Sequence, residues 1–253
     1  MGLRSRLGRV GERVMARMPV SIRLDDKLVL VDVGASGGLQ RKWERYHRSL
    51  VPVLFEPNPA EAASLRAQLG FYPTAYVIDQ GLSDRAGPHT LNVAHYFGCT
   101  SLLEANMTFL KDYAIAGLYE RERTVEVSCT RYDALVEAGK APKPDVIKID
   151  IEGFESRALA GFGDLLADVL GIETEAWFYP AYQGQALLHD LVDQLDAFGL
   201  RLRRLEQIPG FEGDLVSVNA FFSLDRGRTE RLPPARRAKF NLLAKVWGLP
   251  PRS

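Results

Sequence analysis

The sequence predicts an α/β protein built on a mostly parallel, doubly wound sheet. Three observations carry this. Short apolar runs of strand length end in carboxylates at Asp32, Glu56 and Asp150. Helix-length segments alternate with those runs, the pattern of βαβ units. A glycine cluster, Gly34-Ala35-Ser36-Gly37-Gly38, follows the first run, where such folds turn from strand into helix.

The elements follow in order. Residues 3–18 form an amphipathic pattern, with Leu3, Leu7, Val10, Val14 and Met18 at steps of three or four and Arg6, Arg9, Arg13 and Arg17 alongside. Pro19 ends it. Leu28–Val33 reads as a buried strand, followed by a helix through 39–49. A strand at 51–55, a helix at 59–69 and a third strand at 74–78 continue the alternation. The period then changes. Residues 90–95 and 124–129 look like more exposed strands, separated by an irregular or helical stretch. A short helix at 133–138 precedes the apolar strand Val146-Ile147-Lys148-Ile149-Asp150. A helix near 155–159, a strand at 169–173 and a long helix at 185–198 follow. Strands at 200–205 and 215–222 pair as a terminal hairpin, and Pro233-Pro234 opens a last, basic helix with Phe240, Leu243 and Trp247 on one side.

At 253 residues and 46% hydrophobic composition, the chain supports one domain with a sizeable core. The expected organisation is a basic helix at 1–19, a domain at 20–225 and a basic helical appendage at 226–253. The net charge of zero is unevenly spread. Residues 1–19 hold five Arg against one Glu (+4), and residues 226–253 hold eight Lys or Arg against one Glu (+7), leaving −11 for the body. Basic ends of this kind suit an anionic surface, so peripheral contact with a membrane is one expectation. No apolar run is long enough for a membrane-spanning helix, and no signal-peptide core is visible. Arg6 breaks the myristoylation pattern. Two cysteines are too few for a disulfide framework or a zinc site. A cytoplasmic protein is expected, touching the inner membrane face at most.

Ligands of doubly wound sheets bind where the strands end. Gly34 and Gly38 let the backbone approach a ligand without a Cβ in the way. Glu56, 24 residues after Asp32, stands where a carboxylate accepts hydrogen bonds from ribose hydroxyls. The glycine spacing is acidic-x-Gly-x-x-x-Gly rather than the G-x-G-x-x-G that holds a pyrophosphate at a helix N-terminus. That speaks against a NAD-linked oxidoreductase, the alternative from another enzyme class. It suits a ligand with an ammonium and a carboxylate in place of phosphates, as in S-adenosylmethionine.

Pro144-Asp145-Val146-Ile147-Lys148-Ile149-Asp150-Ile151-Glu152-Gly153-Phe154-Glu155 carries the next signal. Asp150 emerges beside the glycine turn, and with Glu152 it would lie near the reacting centre. Lys148 in a buried run needs a carboxylate partner. Glu155 reads as a solvent-facing residue in the first turn of a helix.

The segments VDVGASGG, FEPNP, GLSDRAG, GCTSLL and DVIKIDIEGFE, in this order and spacing, resemble the FkbM family of S-adenosylmethionine-dependent methyltransferases over residues 28–225. The resemblance implies a class I methyltransferase fold, with a seven-stranded sheet whose last strand is antiparallel. It also implies O-methylation of sugar or natural-product hydroxyls. By motif, Asp32, Gly34, Ser36 and Gly38, with Ala35 among them, would line the methionine end. Glu56, with Pro57, would hold the ribose, Leu82 and Ser83 would border the adenine, and Asp150 would sit by the methyl group.

The expected acceptor is a hydroxyl of a sugar in a glycan, polysaccharide or glycolipid, with a polyketide or other small natural product as the alternative. Displacement at a methyl group needs alignment and benefits from a base. Asp150 and Glu152 lead the candidates, ahead of His95 and His189. Thr100 and Ser101 in the central loop, and Glu173, Trp177, Tyr179 and Tyr182 after the later strand, are candidates for substrate contact. Glu173 and Glu175 could join Asp150 in holding a divalent cation through hard oxygens. No tight acidic motif supports that, and no metal is expected. No nucleic-acid partner is expected either: the strand-end acid is followed by Ile151-Glu152-Gly153 rather than a Pro-Pro-aromatic segment, and the body is acidic.

Overall fold

The computed structural model describes Leu24 and residues 26–250. The basic helix expected over 3–18 lies outside the described residues.

Strand β1 (Leu28–Val33) is buried along its whole length. Its continuous apolar run fits a strand covered on both faces. The helix expected over 39–49 is two pieces. Helix α1 (Arg41–Glu44) ends at Arg45, Tyr46 leaves helical geometry, and a single 3₁₀ turn spans His47–Ser49. Trp43 and Tyr46, both almost wholly buried, anchor this polar segment. β2 (Leu50–Phe55) pairs in parallel with β1, and after helix α2 (Pro59–Gln68) β3 (Tyr76–Ile78) pairs in parallel with β2.

A second, three-stranded sheet interrupts the alternation. It comprises β4 (Gly81–Leu82), β5 (Gly87–Ala94) and β6 (Arg121–Thr130), in the order β4-β6-β5. Between β5 and β6 the chain forms the short helices α3 (Met107–Leu110) and α4 (Ala116–Tyr119). Helix α5 (Tyr132–Glu137) leads back to the main sheet. There β7 (Val146–Ile149), helix α6 (Glu155–Ala160), β8 (Gly171–Trp177), helix α7 (Leu188–Asp196), β9 (Leu200–Gln207) and β10 (Ser217–Leu224) follow. The main sheet runs β3-β2-β1-β7-β8-β10-β9. β10, the last strand in the chain, is antiparallel to both neighbours. This is the doubly wound, mostly parallel seven-stranded arrangement that the sequence implies. The reversal of strand order falls between β1 and β7, so ligands are expected at their carboxyl ends.

Two cores result. The larger lies on both faces of the main sheet. The smaller gathers Cys99, Leu110, Tyr119, Trp177, Tyr182 and Phe211 beyond the end of β8. It fastens the 101–106 segment to the 180–183 segment through Asn106 N to Ala181 O at 2.8 Å and Gln183 N to Glu104 O at 2.8 Å.

Helix α8 (Arg226–Glu230) and helix α9 (Pro234–Val246) close the chain. The appendage expected at 226–253 is, over its described part, packed into the larger core. Phe240, Leu242, Leu243 and Trp247 are buried. Its cations serve internal partners: Lys239 lies 2.8 Å from the buried Asp145 carboxylate, and Arg236 lies 3.6 Å from it. Among the described residues no helix is long and apolar enough to cross a membrane.

Candidate active site

The turn after β1 presses on the end of β7. Gly34 has φ +78°, and a Cβ there would lie 2.1 Å from the Asp150 carbonyl oxygen. Only glycine fits, and its absence of side chain brings the two strand ends together. Ala35, itself buried, donates to Phe55 O at 3.2 Å, Gly37 donates to Glu61 Oε1 at 3.0 Å, and Gly38 lies against Gln68. Ser36 is exposed at the tip.

Glu56 is buried at the end of β2. Its Oε1 accepts from Asn58 N at 2.8 Å across Pro57, and Asn58 caps α2 with its own side chain. Burial pushes the Glu56 carboxyl above its ordinary value.

Lys148 finds the carboxylate it needs. Its ammonium lies 3.1 Å from Asp32 Oδ1, its register partner on β1, and donates to Gly34 O at 3.2 Å. Burial works against that charge, and Asp32 and Asp150 more than offset it, so the ammonium is held charged. Burial pushes Asp32 up to about 6 against the opposing pull of Lys148. One strand further, Glu173 accepts from Lys42 at 2.5 Å and from Trp247 Nε1 at 3.1 Å. A row of alternating charge thus crosses the sheet, Asp32 to Lys148 to Glu173 to Lys42. Glu173 belongs to this row, with no contact toward an acceptor.

The turn Asp150–Gly153 is the sharpest in the site. Glu152 has φ +57° and Gly153 has φ +90°, and a Cβ on Gly153 would lie 2.9 Å from the Tyr182 ring. Three side chains hold the turn. Ser101 Oγ donates to Glu152 O at 2.6 Å, Tyr182 Oη donates to Glu152 Oε2 at 2.6 Å, and Glu155 Oε1 accepts from Ile151 N at 3.0 Å. Glu155, expected at the surface, is 2% exposed and acts as the internal brace of this turn. Burial pushes Glu155 up to about 7 and Glu152 up to about 8.

Asp150, Glu152 and Glu175 come together. Each offers a carboxylate oxygen, and these lie within 4.8 Å of one another. Glu175 sits on β8, two residues beyond Glu173 on the same face. A cavity of about 240 Å³ is lined among others by Asn92, Leu103, Glu104, Tyr119, Arg121 and Tyr182. Tyr182 joins the two features, bordering the cavity while bonding Glu152.

Other candidates stand elsewhere. His95 is two-thirds exposed and lies 3.1 Å from Glu122, and the exposed His189 lies 3.4 Å from Asp190. Neither reaches the carboxylates. Thr100 Oγ1 accepts from Ala94 N at 3.3 Å. Trp177 is buried in the smaller core, edge-on to Tyr182. Tyr179 is half exposed and stacks on Phe109. Leu82 and Ser83 are buried in the second sheet, where the Ser83 hydroxyl already bonds Asp84 and His89. Sequence reasoning missed Asn92, Tyr119 and Arg121. Asn92 falls on the strand expected at 90–95, but Tyr119 lies on α4 and Arg121 precedes the strand expected at 124–129, and nothing in the sequence pointed to a cavity.

A family model described as the methyltransferase FkbM domain matches residues 32–202, well over half of the chain. The chain belongs to the FkbM methyltransferase family. As a member of this family it is an S-adenosylmethionine-dependent methyltransferase. The 2-O-methyltransferase NoeI of Sinorhizobium fredii is similar, with 26% identity over 208 residues, 80% of this chain and 84% of the relative. Among solved structures, the magnesium protoporphyrin IX methyltransferase of Synechocystis PCC 6803 with bound SAM overlaps at a TM-score of 0.42 and 11% identity, covering 81% of this chain and 72% of that one. The putative methylase HI0767 of Haemophilus influenzae overlaps at 0.38 and 14% identity, covering 86% and 98%. The fold of the FkbM methyltransferase is read from its own strand order.

Proposed function

We propose that this FkbM methyltransferase methylates a hydroxyl of a sugar in a glycan, polysaccharide or glycolipid. The observation that carries this is the cavity joined to the carboxylate cluster through Tyr182, which lines the one and bonds Glu152 of the other. One part of its lining is polar: Arg121 donates to Glu104 at 2.7 Å and to Asn92 at 3.2 Å, a fork of donors and acceptors suited to ring hydroxyls. Another part is the aromatic and apolar surface of Tyr119, Tyr182 and Leu103, suited to the C–H face of a ring. The similarity to a 2-O-methyltransferase supports the same reading.

The residues present fit S-adenosylmethionine. The turn at Gly34 holds bare backbone against the end of β7, and a buried carboxylate, Glu56, stands at the end of the adjoining strand. When bound, the cofactor supplies an electrophilic methyl group on a sulfonium. Glu56 accepts hydrogen bonds from the ribose hydroxyls. Gly34 to Gly38 present backbone to the methionine end, and Asp32, braced by Lys148, supplies negative charge beneath that turn. Asp150 and Glu152 would orient the acceptor hydroxyl and take up its proton.

The test has two stages. Calorimetric titration with S-adenosylhomocysteine should show binding that Glu56→Ala abolishes. Labelled methyl donor should then yield an alkali-stable methyl ether on oligosaccharide or lipid-linked sugar acceptors. Transfer confined to polyketide-type hydroxyls, or an alkali-labile methyl ester, would refute the sugar assignment.

A further inference from the structure

Asp150, Glu152 and Glu175 present an electrostatic problem that the protein's own residues leave unsolved. Three carboxylate oxygens lie within 4.8 Å of one another, Glu175 buried, Glu152 half-buried and Asp150 at the exposed edge. Like charges at this spacing repel strongly where the dielectric is low. Two of the three have a visible partner. Glu152 accepts from Tyr182, and Asp150 lies 3.6 Å from Lys148. Glu175 is only 6% exposed, and among the described residues its Oε2 has no hydrogen-bond partner. A buried acceptor in that state costs free energy unless something else meets it. Lys148 is committed to Asp32 and to the Gly34 carbonyl.

We propose that a hard divalent cation of the Mg²⁺, Mn²⁺ or Ca²⁺ class binds between Asp150, Glu152 and Glu175. The ligand set is all oxygen, which selects that class over softer metals. Cys99 is buried, and burial pushes its thiol up to about 12, so it offers no thiolate. A cation here neutralises the trio and satisfies the unpartnered Glu175 oxygen. Asp150, the most exposed of the three, leaves coordination positions open toward the strand-end cleft. The site's role rests on the acceptor reading given above: a hydroxyl bound to the cation is more acidic and is held for in-line attack, its proton leaving to solvent by way of Asp150. Cation binding itself does not depend on that reading.

The experiment is titration of metal-stripped protein with Mn²⁺, following the paramagnetic resonance signal of the free ion. One bound ion is expected, with affinity reduced at least about tenfold in Glu175→Gln and in Asp150→Asn. Both substitutions preserve shape and relieve repulsion, and a thermal melt of each verifies folding. Absence of Mn²⁺ binding, or binding unchanged in both variants, would overturn the proposal. S-adenosylhomocysteine titration of the same samples separates the two readings. Cofactor product binding without Mn²⁺ binding removes the cation and leaves the methyltransferase site. Mn²⁺ binding lost in the variants, without product binding, upholds the cation and removes the cofactor assignment.

Discussion

At the level of single residues, the strand-end carboxylates were legible because their positions follow from the strand pattern alone. Asp32, Glu56 and Asp150 each terminate an apolar run, and each lies at the carboxyl edge of the sheet. The charge states of Asp32 and Glu56 are shifted by burial, which is set by the folded structure. Glu56 is an instance with a measurable consequence. Its carboxyl is raised by burial, and the proposed role toward the ribose requires it ionised to accept two hydrogen bonds. Product binding therefore favours the deprotonated form. Affinity for S-adenosylhomocysteine should be full above the raised value and should fall as pH drops through it, by up to about tenfold per unit. Titration calorimetry across the acidic range checks this, and Glu56→Gln should bind weakly with a flattened profile. Glu155 shows the opposite lesson. Its place at the start of a helix reads as surface, yet the backbone of the Asp150–Gly153 turn folds over it and makes it an internal acceptor. His95, before the 96–101 loop, and His189, on the helix after the aromatic segment, are exposed and stand outside the carboxylate cluster.

Elements were legible in proportion to how little chemistry they carry. β1, β2 and β7 are nearly unbroken apolar runs, and the expected and observed spans agree closely. β8 was read too short. Glu173, Thr174 and Glu175 resemble a polar loop, but all seven residues of the strand are buried between β7 and β10. The polar residues are there because one carboxylate joins the charged row and another joins the trio. α9 was read as an amphipathic helix, correctly as to its apolar side, while its destination was hidden. Trp247 packs edge-on against Phe221, and Gly171 on β8 has no room for a side chain beneath it. Trp247→Ala should therefore cost about 3–5 kcal/mol, the range for emptying a large aromatic from a core. It would also remove one of the donors to Glu173. Urea denaturation measures this directly. A cost near zero would show that α9 is an accessory to the fold, as the charge pattern alone implies.

On the scale of the whole molecule, the two sheets divide the work. The main sheet supplies the turn at Gly34, Glu56 and the carboxylates. The second sheet, with the segments that join it to β8, supplies most of the cavity wall. This division was only half visible in the sequence. Alternation marked β5 and β6, but the bridge between Ala105 and Tyr182 that draws the wall against the main sheet is a long-range pairing without a local signature. The two regions meet through few residues, Tyr182 chief among them. Lesions in one should therefore leave the other intact. Ala105 lines the cavity and has no part in the glycine turn or the Glu56 region. Ala105→Trp would fill much of the space with an indole ring. Methyl transfer to the acceptor should fall at least about tenfold, while affinity for S-adenosylhomocysteine stays within about twofold, as expected for sites that share no partners. Steady-state transfer assays and product titration on the same preparation measure both quantities. Equal losses in the two would mean that the cavity wall shapes the cofactor cleft as well. Transfer unchanged in rate would place the acceptor outside this cavity, most plainly at the exposed side of Asp150.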